Sequence, residues 1–142
     1  MASPLRIVLS GAGGRMGRAV AAAALGDARF KLLGGVGSGA AAGGLLGADV
    51  LVDFTLPAPA LRFAAAAARA RVAFVSGTTG LTPSQERRLR TLSRSIPIFW
   101  ASNMSPGMNL LFELTRRAAA ALPSYDAAVL DVHHAAKKDA PS

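Results

Sequence analysis

The residues best placed to do chemistry in this sequence are Gly11-Ala12-Gly13-Gly14-Arg15-Met16-Gly17, which follow the apolar run 5–9 after one serine and directly precede the alanine-rich run 18–25. A short strand, a tight glycine turn and a helix N-terminus, in that order, make an anion site. The turn brings backbone N–H groups close to a ligand, and the helix adds roughly half a positive charge at its start, so a pyrophosphate is the natural guest. The spacing is G-x-x-G-x-x-G on Gly11, Gly14 and Gly17; the commoner G-x-G-x-x-G would need glycine where Met16 stands. In this reading Gly11 makes the turn, Gly14 lets a phosphate approach and Gly17 lets the helix pack on the sheet. A P-loop is excluded, because Arg18-Ala19 stands where Lys-Ser or Lys-Thr is needed. The competing reading is an ordinary strand-to-helix turn in a glycine-rich chain.

Two further stretches carry suitable groups. Gly77-Thr78-Thr79-Gly80 follows an apolar run at 72–76. At the end of a parallel strand, glycine would let a nicotinamide or ribose come close and two hydroxyls could hydrogen-bond it; the plainer alternative is a simple turn. His133 and His134 follow the apolar run 127–132, with Lys137 and Lys138 shortly after. They suit a general acid site or a dicarboxylate clamp, or else a solvated tail.

These groups need a parallel sheet to hold them, and the chain supplies one. Apolar runs at 5–9, 30–36, 50–55, 72–76 and 96–100 read as strands. Between them, 18–25 and 61–69 read as alanine-rich helices, with Leu61, Ala64, Ala65 and Ala68 on one face of the second. Pro57 and Pro59 mark a turn before that second helix. Thr82-Pro83-Ser84-Gln85 opens a third helix, with Thr82 as N-cap and Gln85 closing a capping box. On that helix Leu89, Leu92 and Ile96 face the sheet while Arg87, Arg88, Arg90 and Arg94 face water. Residues 101–105 are a loop at the same end of the sheet as the glycine turns, 108–122 is an amphipathic helix, and 127–132 is a further strand. One irregularity stands out. Dinucleotide domains usually carry an acidic residue at the end of the second strand to hold the ribose, yet here no carboxylate occurs between that strand and Asp49.

Composition narrows the class. With 51% hydrophobic and 17% charged residues in 142, the chain fits a globular domain with a real core. No apolar run is long enough to span a bilayer and the start lacks a signal-peptide pattern, so a cytoplasmic protein is expected. The absence of cysteine removes disulfides and thiolate chemistry, and with two histidines no metal site is expected. A formal charge of +8 comes from arginines scattered over several helices, with one tyrosine and one tryptophan for base stacking. No nucleic-acid partner and no membrane partner is expected.

Taken together, Gly11 to Gly17, Val52-Asp53-Phe54-Thr55, Gly77-Thr78-Thr79-Gly80, Ala101-Ser102-Asn103-Met104-Ser105-Pro106-Gly107 and His133-His134 with Lys137 and Asp139-Ala140-Pro141-Ser142 resemble dihydrodipicolinate reductase, also called 4-hydroxy-tetrahydrodipicolinate reductase. The resemblance runs in order over nearly the whole chain. It implies an α/β fold: a Rossmann-type doubly wound parallel sheet at 1–105, and at 106–142 only the start of a second, α+β domain for substrate binding and tetramerisation. It implies NADH or NADPH as cofactor and a small dicarboxylate as substrate, reduced in the diaminopimelate route to lysine, with a homotetramer as the assembled form. Gly11, Ala12, Gly13, Gly14, Arg15 and Met16 would hold the cofactor phosphates, Gly77, Thr78 and Thr79 the nicotinamide side, and Ala101, Ser102, Asn103 and Met104 the crossing loop. His133 and Lys137 would be catalytic, and His134 would contact substrate. The family continues past the position of Ser142 with a Gly-Thr pair and most of the second domain, so a non-catalytic nucleotide-binding fragment is the alternative. The missing acidic residue after the second strand leaves NADH and NADPH undivided.

Overall fold

The computed structural model describes residues 3–37, 42–130 and 132. Five strands, β1 (Leu5–Ser10), β2 (Phe30–Val36), β3 (Val50–Asp53), β4 (Ala73–Ser76) and β5 (Ile98–Trp100), pair in parallel in the order β2-β1-β3-β4-β5. The connections are α1 (Arg15–Leu25), a 3₁₀ turn at Ala42–Leu45, α2 (Pro57–Ala70) and α3 (Pro83–Leu92), with α4 (Pro106–Ala121) following β5. Strand order reverses direction between β1 and β3, so the sheet is doubly wound as expected, and the crevice above that reversal is where such folds take ligands.

The core explains why these short apolar runs become strands. Ile7, Val8 and Leu9 are all buried, so both faces of β1 are covered, as a central parallel strand requires. Leu51 and Phe74 are fully buried against Phe63, Ala64 and Ala67 of α2 and Leu89 of α3. Small alanines let α2 lie close to the sheet. Arg87, Arg88 and Arg90 of α3 are exposed, as expected, and so is Arg94, which lies past the helix because α3 ends at Leu92.

Several expectations shift. Helix α1 starts at Arg15, not at Arg18, because the extended Gly14 is its N-cap and the Arg18 N–H already bonds the Gly14 carbonyl at 3.0 Å. Pro57 and Pro59 form the first turn of α2, where a missing N–H costs nothing, and are not a separate turn. The buried face of α2 centres on Ala60, Phe63, Ala64 and Ala67, one position away from the expected face, because the bulky Phe63 fills the core. Strands β3 and β5 are trimmed to Asp53 and to Ile98. The strand expected at 127–132 is not formed among its described residues: Val129 and Leu130 are 86% and 90% exposed, and no described strand offers them a ladder.

The chain divides into two compact units, Met1–Ser102 and Asn103–Ser142. The first contains the whole sheet with α1, α2 and α3. The second carries α4, capped by the Ser105 hydroxyl on the Met108 N–H, with Leu110, Leu111, Phe112 and Leu114 exposed. No helix among the described residues is long and apolar enough to cross a membrane.

Candidate functional site

The ends of the five strands form one row across the sheet. Val36, Ser10, Asp53, Ser76 and Trp100 are register neighbours in that order, each the last residue of its strand. The loops leaving this row carry most of the residues singled out above.

After Ser10, Gly11 adopts φ +78, and a Cβ there would run into the Phe54 carbonyl, so the turn needs glycine on both counts. The Gly14 N–H closes the turn on the Gly11 carbonyl at 2.9 Å, and the Arg18 guanidinium donates to the Gly13 carbonyl at 2.6 Å. Gly17 is buried against the Gly11 and Ala12 backbone, so it lets α1 pack on the turn itself. A Cβ at Gly13 would meet nothing within 4 Å, which leaves that side of the turn open.

The helices differ in how their first-turn N–H groups are met. In α3 the Thr82 hydroxyl and Gln85 close a capping box and in α4 Ser105 caps, whereas α2 has no side-chain cap but opens on Pro57 and Pro59, which carry no N–H. Helix α1 begins on Gly14, which has no side chain to cap with, so the exposed Arg15 and Met16 N–H groups have no side-chain cap. A cleft of about 460 Å³ opens beside this turn. Gly11, Ala12 and Gly13 line one side, Gly35, Val36 and Gly37 from the end of β2 another, and Thr55, Leu56, Pro59 and Phe63 the third. The cleft lies at the β1/β3 reversal and is within the size range of small-ligand sites. Glycine at 35 is forced by Ala12, whose methyl would stand 2.9 Å from a Cβ. No carboxylate lines the cleft among the described residues. Asp49, the next acidic residue along the chain, sits at the opposite, N-terminal end of β3 and is held by Arg6 through contacts of 2.6 and 3.1 Å. That guanidinium pulls the Asp49 carboxyl from 3.8 down to about 2.

The Gly77-Thr78-Thr79-Gly80 loop has a divided role. The Gly77 Cβ position is taken by the Phe54 ring, so this glycine makes room for a side chain of its own domain. Thr78 is 2% exposed; its hydroxyl donates to Asp53 at 2.7 Å and its carbonyl accepts from Trp100 Nε1 at 2.8 Å. Thr79 is only partly buried. Of the two threonines, Thr78 anchors the loop and Thr79 is the more exposed.

Asp53, Phe54 and Trp100 were assigned no role by sequence reasoning. The signal for Asp53 was an acidic residue ending an apolar strand while two neighbouring strands end in serine. Ala101 follows β5, its N–H on the Ser76 carbonyl at 3.2 Å. Ala101 and Ser102 belong to the first unit and Asn103 and Met104 to the second. There the Asn103 carboxamide oxygen accepts from the Ser105 N–H at 2.9 Å, and Asn109 donates to the Asn103 carbonyl at 3.0 Å, which shapes the start of α4. His133, His134 and Lys137 lie outside the described residues. No cluster able to hold a metal occurs among the described residues.

Known proteins match this chain along its length. The family descriptions "Dihydrodipicolinate reductase, N-terminus" and "Dihydrodipicolinate reductase, C-terminus" match residues 38–104 and 107–142. The 4-hydroxy-tetrahydrodipicolinate reductase of Caulobacter vibrioides is 42% identical over 153 residues, covering 100% of this chain and 60% of that protein. That of Xanthomonas euvesicatoria is 38% identical over 155 residues, covering 99% of this chain and 65% of the relative. The chain thus spans 60% to 65% of the length of these two relatives. In fold, it is similar to the dipicolinate-bound dihydrodipicolinate reductase of Paenisporosarcina sp. TG-14, with a TM-score of 0.69 at 20% identity over 82% of this chain and 54% of that one. With two adjoining family matches and relatives aligned over essentially all of its residues, the chain belongs to the dihydrodipicolinate reductase family.

Proposed function

We propose that this chain binds NADH or NADPH in the cleft at the β1/β3 reversal and serves the reduction of 4-hydroxy-tetrahydrodipicolinate in lysine biosynthesis through diaminopimelate. The observation that carries the reading is the uncapped start of α1 beside a glycine-lined cleft. The N–H groups of Arg15 and Met16 suit a pyrophosphate, and the apolar side made by Leu56, Pro59 and Phe63 suits an adenine ring. When bound, the dinucleotide supplies the hydride. Thr79, Ala101 and Ser102 orient its nicotinamide end, with Asn103 and Met104 continuing the crossing loop. His133 and Lys137 are the catalytic pair in this reading: a protonated side chain within hydrogen-bond reach quenches the charge that hydride transfer leaves on the ring. His134 contacts the substrate, a small dicarboxylate, a class supported by the dipicolinate-bound state of the Paenisporosarcina protein. The working form is a cytoplasmic homotetramer, its first domain ending near 105 and its second beginning at 106.

Fluorescence titration with NADH and NADPH tests the cofactor, and loss of absorbance at the reduced-nicotinamide band with enzymatically made substrate tests the reaction. Saturable binding with turnover in a form extended to the length of its relatives is expected. Binding without turnover in that form would favour the nucleotide-binding module, and no binding would remove the cofactor reading.

A further inference from the structure

The carboxyl group of Asp53 is fully buried and its two oxygens accept four hydroxyl donors. Ser10 and Thr55 donate to Oδ1, each at 2.7 Å; Ser76 and Thr78 donate to Oδ2 at 2.8 and 2.7 Å. A carboxylate offers about four lone-pair sites, so the set is complete and nothing is left with which to touch a ligand. Holding a carboxylate at the end of an apolar core strand is costly unless every acceptor is satisfied, and here all are. An apolar residue would fill the same core position without that demand.

What the arrangement does follows from where the donors sit. Ser10 immediately precedes Gly11, Thr55 lines the cleft, and Ser76 and Thr78 flank Gly77. One side chain therefore links the pyrophosphate turn, the cleft wall and the nicotinamide-side loop, which leave three different strands. We propose that Asp53 is a positioning residue that locks these loops into one geometry, so that the two ends of a dinucleotide are received together. This rests on the cofactor reading above, but the coupling between loops is a property of the chain alone.

Amide exchange read by mass spectrometry on the whole ligand-free chain tests the coupling, and NADH titration well below the melting temperature tests its consequence. Asp53→Asn retains the size but introduces an N–H₂ among four donors. It should speed exchange at least about tenfold in both 11–17 and 77–80 while α3 is unchanged, and weaken NADH binding by about the same factor. If that variant does not fold, Thr78→Val and Thr78→Ser carry the test: Val should loosen both loops and Ser, which keeps the hydroxyl, should stay near wild type. Loosening confined to 77–80, or loosened loops with unchanged NADH affinity, would overturn the proposal. Coupled loosening in a chain that binds neither NADH nor NADPH would uphold the lock and refute the cofactor reading instead.

Discussion

The ring of Phe54, just past the end of β3, occupies the space where a side chain on Gly77, just past the end of β4, would begin. Gly77→Ala must push that ring aside, and overpacking of this kind costs about 1–3 kcal/mol. Urea denaturation should show the loss in the wild-type background and a smaller one in Phe54→Ala, with a coupling of at least about 0.5 kcal/mol. Equal losses in both backgrounds would show that the ring does not set the requirement for glycine.

The glycines of the first turn should behave very differently from one another. A Cβ on Gly17 would collide with the Gly11 and Ala12 backbone, which cannot move without opening the turn, whereas one on Gly13 meets nothing within 4 Å. Gly17→Ala is expected to cost about 1–3 kcal/mol and to weaken NADH binding, while Gly13→Ala stays within about 0.5 kcal/mol of wild type. Thermal melts and a fluorescence titration of the two variants, side by side, provide the check.

Arg6 and Asp49 tie the start of β1 to the residue before β3 through a contact of 2.6 Å. Because the Asp49 carboxyl falls from 3.8 to about 2 on folding, its contribution is present above pH 3.8 and is lost as pH drops towards about 2. The wild-type melting temperature should therefore fall more steeply over that window than that of Asp49→Asn. Parallel curves for the two proteins would mean that the exposed pair contributes nothing measurable.

With Gly35, Val36 and Gly37 at the end of β2, the described residues lining the cleft offer a ribose neither a carboxylate to prefer the 2′-hydroxyl nor a cation to prefer a 2′-phosphate. The Kd values for NADH and NADPH should differ by less than about a hundredfold, roughly 2.7 kcal/mol. A larger ratio in calorimetric titrations would assign the choice to residues away from the cleft.

In a form of the chain extended to the length of its relatives, Lys137→Ala and His133→Ala should each lower kcat by about 10² to 10⁴, the range for losing a general acid. Steady-state kinetics would reveal it, and full activity in Lys137→Ala would transfer the role to another group.

Much of this was legible in the sequence because it depends on local rules. Alternating short apolar runs and alanine-rich helices can form only a covered parallel sheet, and the Thr82-Pro83-Ser84-Gln85 start of α3 follows from capping chemistry within four residues. The tight glycine turn at 11, 14 and 17 was likewise legible, since the positive φ of Gly11 and the close backbone approaches at Gly11 and Gly17 restrict the residue type at the positions themselves. What tertiary structure alone decided depends on neighbours distant in the chain. Ser10, Asp53 and Ser76 become adjacent only through strand register, more than 20 residues apart in sequence. That register withdraws the Thr78 hydroxyl from any ligand, and the packing of Phe54 explains a glycine that looked like an opening for cofactor. The apolar run 127–132 shows the converse: its composition favours a strand, but a strand is a pairing, and the described chain supplies it no partner.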